Sequence, residues 1–211
     1  MTDVWSERAE SYRVSEAHRR GRDLDLIAAW AEGKTALDVA TGGGHVARRL
    51  RQAGFQIVTV DPAPGMSADT TARAEDLPFA DASFDTVVSR VAPHHFAGIG
   101  EAMGEMARVA SRVVIVSDNL FLAPEVEEAE RLRDPTHVRC YSEQEWRDLF
   151  AGAGLAVEEV EVDDKEIEIE PWLARAGCAG EEADRVKELL ADRIDGDYLH
   201  LDRIVLRGRK A

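Results

Sequence analysis

Apolar positions change period several times along the chain, and each change marks a new element. Continuous apolar runs at Val87-Val88 and Val113-Val114-Ile115-Val116 fit strands covered on both faces. With weaker runs elsewhere they predict strands at Ala36–Ala40, Gln56–Val60, Thr70–Ala74, Phe84–Ser89 and Arg112–Ser117. Helical spacing falls between and after them, at Gly44–Ala53, Gly98–Val109, Pro124–Arg133 and Ser142–Ala153. Ser142 with Glu145 three residues on forms a capping box that fixes the start of the last of these. Strand and helix therefore alternate from about Thr35 to Asp118, the pattern of a mainly parallel sheet with helices on both faces.

Beyond Gly154 the pattern changes. Leu155 to Val162 alternates, as a strand partly open to water should. Helical stretches follow at Glu170–Gly177 and Glu181–Ile194, and Tyr198 to Arg207 alternates again. Two late strands joined by a helical insert predict an antiparallel edge pair. The first thirty residues read as one or two amphipathic helices carrying Trp5, Tyr12, Leu24, Ile27 and Trp30. No repeat or low-complexity linker interrupts the chain, so residues 1–211 are expected to form a single domain. Within it, 1–33 are expected to form a helical lid and 165–196 a helical insert on the substrate side.

Charge narrows the partners. The formal net charge is −15, a surface that repels nucleic-acid backbones and anionic membranes. No apolar run is long enough to span a bilayer, and Met1–Glu10 lacks a signal-peptide core. Cys140 and Cys178 form no CxxC pair and read as reduced thiols. A cytoplasmic protein acting on a small molecule, as monomer or homodimer, is the expectation. The acids from Glu158 to Glu170 alternate with Val, Ile and Lys, which fits a solvated strand face; no metal site is expected.

The richest segment is Leu37-Asp38-Val39-Ala40-Thr41-Gly42-Gly43-Gly44, a strand running into a glycine turn and a helix. The next strand ends on Asp61 after little more than one helix and one strand. Such a unit gathers bare backbone, a helix N-terminus and a carboxylate in one crevice, suited to a ligand with a ribose and an anionic end. Gly42 to Ala47 also satisfies the dinucleotide pattern G-x-G-x-x-[GA], which makes a nicotinamide-dependent oxidoreductase a rival. The chain lacks the Tyr-x-x-x-Lys pair of many such enzymes.

Taken with Val60-Asp61-Pro62, Ala74-Glu75-Asp76-Leu77-Pro78-Phe79 and Ser83-Phe84-Asp85-Thr86-Val87-Val88, this segment resembles the class I S-adenosylmethionine-dependent methyltransferases. Ser89 to Phe96 and Arg131 to Arg139 are similar to the ubiquinone/menaquinone C-methyltransferase subgroup (methyltransferase type 11). The resemblance implies a doubly wound, Rossmann-like α/β sheet of seven strands, order 3-2-1-4-5-7-6, with the last strand antiparallel. It implies S-adenosylmethionine as cofactor, with Asp38 orienting the loop and the cofactor ammonium and Asp61 taking both ribose hydroxyls. Gly42 and Gly44 would admit the methionine part, and Ala40 stands where the family's first glycine falls. Pro62 and Met66 would cover the adenine, Ala74 and Glu75 would meet its edge, and the Arg90 carbonyl would face the amino group.

The sequence departs from that pattern after Asp61, where Pro62, Pro64 and Gly65 leave room only for a shortened helix and third strand. Arg73 stands where many relatives carry Asp; a guanidinium only donates and cannot replace an acceptor. A more open adenine pocket, or a methyltransferase fold that binds without turnover, follows as an alternative. His95 and His94, after the fourth strand, are the candidate catalytic bases for a quinol or phenol acceptor. Arg133, His137 and Arg139 belong to a basic cluster that could hold an anionic acceptor, or pair with nearby acids.

Overall fold

Strand β1 (Thr35–Val39) seeds the molecule, and the computed structural model, which describes residues 3–210, builds outward from it on both sides. To one side lie β2 (Gln56–Asp61) and the two-residue β3 (Thr70–Thr71), both parallel; to the other, β4 (Phe84–Arg90) and β5 (Ala110–Asn119) continue in parallel. Beyond β5 the long β8 (Tyr198–Lys210) runs antiparallel and carries β6 (Leu155–Glu168) on its outer side; β7 (Ile194–Asp195) is a two-residue strand paired with β8. The path is β3-β2-β1-β4-β5-β8-β6. Leaving aside β7, this is the expected order, with the last strand antiparallel.

Helices α1 (Val4–Val14), α2 (Glu16–Arg19) and α3 (Arg22–Trp30) precede the sheet; α4 (His45–Gln52) and α5 (Ile99–Val109) are its crossovers. Helices α6 (Pro124–Arg133) and α7 (Glu143–Gly152) lead from β5 to β6, and α8 (Ile169–Ala176) and α9 (Glu181–Leu189) lie between β6 and β7. The capping box forms as its spacing predicts, with Ser142 and Glu145 bonding each other's backbone. The sheet is buried on both faces. Leu37, Val39, Val87 and Val114 belong to one core with α5 and α7, and Ala36, Val88 and Ile115 to another with α3 and α4. A separate apolar cluster unites α6, α8 and α9 around Trp172 and Leu173. No helix among the described residues is long and apolar enough to cross a membrane.

Two differences from the sequence reading have physical causes, and between them stands one expectation that is met. The N-terminal segment forms three helices rather than one or two, because Ser15 breaks it in an extended conformation and Gly21 breaks it again at a positive φ of 153°. After Asp61 only a single 3₁₀ turn, Pro64–Met66, and β3 remain, the shortened helix and third strand that were expected, with β3 ending at Thr71 rather than Ala74. There the Asp69 carboxylate bonds the Thr59 backbone N–H at 2.9 Å and its hydroxyl at 2.8 Å, extending the ladder with a side chain. Strand β6 runs on to Glu168, since backbone pairing with β8 is indifferent to the polar run Asp163-Asp164-Lys165.

Candidate active site

A cavity of about 350 Å³ opens at the carboxyl ends of β1, β2 and β4, the crevice position expected of an open parallel sheet. At its floor Asp61 is 6% exposed, and each carboxylate oxygen already accepts one backbone N–H, from Gly42 and from Ala63, both at 2.9 Å. These bonds tie the tips of β1 and β2 together. They leave lone pairs on both oxygens, since an ionised carboxylate has about four acceptor positions. Burial pushes the Asp61 carboxyl above its usual range. The group lines the cavity and does not turn to bulk water.

Asp38, 1% exposed, accepts from the Thr41 hydroxyl at 2.6 Å and from the Ala47 N–H at 3.1 Å, so it braces the turn from beneath. Its burial raises the carboxyl to about 6. Gly42 has φ 51°, and a Cβ there would meet nothing within 4 Å: the bend faces open space. Gly43 is needed for a different reason. A Cβ there would come within 2.8 Å of the Tyr12 carbonyl of α1. Gly44 begins α4 with no side-chain cap of its own; Asp38 takes the Ala47 N–H, and the His45 and Val46 N–H groups of the first turn are left without a side-chain partner.

The remaining expected cofactor residues distribute as follows. Ala40, Pro62, Met66, Ala74, Glu75 and Arg90 line the cavity with Asp38, Gly42 and Asp61, whereas Gly44 does not, although its neighbours Gly43 and His45 do. Arg73 donates to Glu75 at 3.0 Å, and Glu75 also accepts from the Gly98 N–H at 3.2 Å. Acceptor capacity beside Arg73 therefore comes from Glu75. The Arg90 side chain turns into the protein and bonds Asp23 at 2.6 Å.

The opposite wall is aromatic: Trp5 and Tyr12 from α1, with His95 and Phe96 after β4. Trp5 meets His95 edge-on at 4.7 Å between ring centroids. Helix α1 is tied on both flanks. Ser6 accepts from the Gly65 N–H at 2.8 Å, Arg13 donates to the Gly65 carbonyl at 2.6 Å, and Arg8 pairs with Asp134 at 3.0 Å.

The two candidate bases part company within one 3₁₀ turn, Pro93–His95. His95 faces the cavity, with Nδ1 3.0 Å from the Thr136 carbonyl. That carbonyl can only accept, so Nδ1 carries the proton and Nε2 is left as the acceptor. Burial, with His94 beside it, pushes the imidazole down to about 3. His94 does not line this cavity; it is 6% exposed, and Asp118 takes its Nδ1 at 2.5 Å and its backbone N–H at 2.7 Å. Burial disfavours charge on both partners, lowering the imidazole to about 3 and raising the carboxyl to about 7.

The basic cluster does not assemble at the large cavity either. Arg139 bonds Glu145 at 2.5 Å and stacks over Tyr141, and His137 bonds Glu127 at 3.0 Å. Arg133 stacks over Trp172 and lies 3.5 Å from Glu130. Acids no more than ten residues away along the chain lie beside each cation. Glu127, His137 and Cys140 bring three ligand-type atoms within 4.8 Å of one another, but Glu127 is already engaged by His137 and by the Cys140 N–H. Sequence reasoning missed His18, His45 and Asp3 in the large cavity; they reach it from the N-terminal helices and α4, and nothing in their local pattern signals it.

A methyltransferase-domain family model matches residues 37–113. The uncharacterized methyltransferase YcgJ of Bacillus subtilis (strain 168) is 32% identical over 88% of this chain and 82% of its own length. The YcgJ crystal structure superposes with a TM-score of 0.79 and 25% identity, covering 89% of this chain and 97% of that one. A Haloferax volcanii chain solved in complex with the Trm112 methyltransferase activator superposes with a TM-score of 0.71 at 20% identity, over 99% of this chain and 98% of its own. That likeness is one of fold alone.

Proposed function

The chain belongs to the class I S-adenosylmethionine-dependent methyltransferases, and on that premise we propose that it methylates a small planar acceptor, of phenol or quinol type, lodged between His95 and helix α1. One observation carries the reading: a single cavity joins a carboxylate-and-glycine floor to an aromatic wall. The floor suits the cofactor. Asp61 keeps acceptor positions free for two ribose hydroxyls, the bend at Gly42 is open, and the His45 and Val46 N–H groups at the start of α4 favour a carboxylate. Asp38 offers charge for the ammonium, while Pro62, Met66 and Ala74 give apolar cover to the adenine, with Glu75 and the Arg90 backbone at its margins.

When bound, S-adenosylmethionine supplies a methyl group already activated on a sulfonium. The protein then has to align the acceptor, exclude water and receive a proton. Trp5, Tyr12 and Phe96 hold a planar ring, and residues 1–33 serve as the lid that excludes water. His95 holds the acceptor hydroxyl through Nε2. Burial and the neighbouring His94 push the His95 imidazole down, so His95 serves as a hydrogen-bond acceptor that orients the hydroxyl, and its Nε2 would take the proton as the hydroxyl becomes strongly acidic. Subgroup resemblance supports the phenol or quinol class.

Two measurements test this. Calorimetric titration with S-adenosylhomocysteine should give a saturable isotherm; no heat at millimolar ligand would overturn the assignment of the floor. Single-turnover transfer of labelled methyl to a panel of phenols and quinols should label at least one; binding without transfer to any would favour a fold that binds without turnover.

A further inference from the structure

Behind the wall of Tyr12, His18, Val91 and His95 lies a second, smaller cavity of about 40 Å³, which shares those four residues with the large one. Its own walls carry Arg133, Lys165, Arg175 and Arg203, and no carboxylate lines it among the described residues. Four cations around so small a space are unexpected in a chain of net charge −15. Their compensation is incomplete. Arg203 is 5% exposed; it shares Asp23 with Arg90 at 3.3 Å and reaches the Asn119 side chain at 3.1 Å, yet its Nε has no partner. Arg133 spends its Nε on the Trp172 carbonyl and has Glu130 only at 3.5 Å. Lys165 reaches the Arg20 carbonyl at 3.2 Å.

Arg175 has no carboxylate within ion-pair distance among the described residues, and its Nε is buried without a hydrogen bond. Burial and the nearby Arg133 lower it to about 10. A partly buried guanidinium facing other cations is costly to maintain unless something anionic comes to it. No structural contact on its own helix explains it.

We propose that this compartment is an anion subsite for the methyl acceptor: the acceptor carries a carboxylate, which Arg175 and Arg203 grip with help from Lys165 and Arg133, while the reacting atom stays on the cofactor side of Tyr12 and His95. The inference rests on the methyltransferase reading above and names the substrate class within it. A carboxylate is favoured over a phosphate on two grounds. The space is small, and Arg175 is the one lining cation with neither an ion pair nor a hydrogen bond among the described residues. A planar monoanion matches the guanidinium fork side-on. The pairing also explains how an acidic protein attracts an anionic substrate: the small cavity carries four cations and no lining carboxylate among the described residues.

Calorimetry on protein loaded with S-adenosylhomocysteine, with benzoate, phenyl phosphate and benzyl alcohol as probes, tests it. Benzoate should bind at least about tenfold more tightly than benzyl alcohol, and Arg175→Gln should erase that preference. Lys165→Gln should weaken benzoate by about threefold, and the distant surface control Arg185→Gln should change nothing. Saturable S-adenosylhomocysteine binding to each variant certifies that it is folded and keeps the two readings separable. If that ligand fails to bind the unaltered protein, the proposed function falls. If it binds but benzoate shows no preference, or shows one that survives Arg175→Gln, the subsite alone falls. Phenyl phosphate outbinding benzoate would overturn the carboxylate assignment.

Discussion

The two ends of strand β1 treat a carboxylate in opposite ways. At the amino end, Asp85 of β4 receives the Lys34 N–H at 2.8 Å and the Thr35 N–H and hydroxyl, both at 3.1 Å. Those bonds lower its carboxyl to about 2. At the carboxyl end, Asp38 and Asp61 are buried more deeply, accept fewer hydrogen bonds for that burial, and are pushed up instead. The amino end is satisfied and the carboxyl end is left wanting a partner. A polar group that folding does not fully satisfy is one that a ligand can satisfy.

The sharpest test of this contrast is a double dissociation. Asp61→Ala should weaken S-adenosylhomocysteine binding by at least about a hundredfold, because it removes a charged acceptor of two hydroxyls; it also frees the Gly42 and Ala63 N–H groups, but relief of a buried charge offsets part of that loss, so it should cost less stability than Asp85→Ala. Asp85→Ala should do the reverse: about 2 kcal/mol of stability lost, with affinity retained. Calorimetry and thermal melts on both variants decide it. Equal losses of binding in the two would erase the distinction between the ends. The Asp85 contribution also has a direction in pH. Its folded carboxyl is depressed, so the stability is fully present above the unfolded value near 3.9 and disappears as pH falls toward about 2.

Asp38 has the opposite linkage. Raised to about 6 in the fold, it holds its proton longer than in the unfolded chain. Stability therefore declines as pH climbs from roughly 4 to about 6, and the penalty persists above that. Asp38→Asn keeps an oxygen for the Thr41 hydroxyl and the Ala47 N–H while removing the buried charge. We expect the variant to be more stable by about 1–2 kcal/mol near pH 8 and no more stable near pH 4, with weaker cofactor binding at the higher pH. A pH series of melts checks it; a gain that did not vary with pH would mean that packing, not charge, was responsible.

What the sequence made legible follows from how local each feature is. The glycine turn, Asp38 and Asp61 lie within one strand–helix–strand unit, so spacing alone placed them in one crevice. The shortened β3 was readable from Pro62, Pro64 and Gly65 because these act on their own backbone. The histidine pair was legible as a pair, but not which of the two faces the cavity, since Asp118, a strand away, decides that. Arg133, His137 and Arg139 attracted a functional reading by clustering in sequence, yet Glu127 and Glu145 claim His137 and Arg139 in space, while Arg133, with Glu130 only at 3.5 Å, lines the small cavity. Arg175 and Arg203 carried no signal. They reach the same small cavity from α8 and β8, and only the folded chain shows that one of them lacks an acid.

The smallest predicted effect concerns the residue that joins the two behaviours of β1. Ala40 follows the strand directly and adopts φ 56°, the left-handed region that its Cβ disfavours. The turn holds it there: the Thr41 N–H bonds the Val60 carbonyl at 3.1 Å, and the Gly44 N–H bonds the Thr41 carbonyl at 2.9 Å. Left-handed alanine costs about 1–2 kcal/mol, and glycine gives back about 0.5–1 kcal/mol of that through unfolded-chain entropy. Ala40→Gly should therefore stabilise the protein by about 0.5 kcal/mol, seen as a small rise in melting temperature, with S-adenosylhomocysteine affinity unchanged because the bend already has its final shape. A rise in affinity instead would show that the methyl group of Ala40 stands in the cofactor's path, and that the carboxyl end of β1 is limited by space rather than by unsatisfied charge.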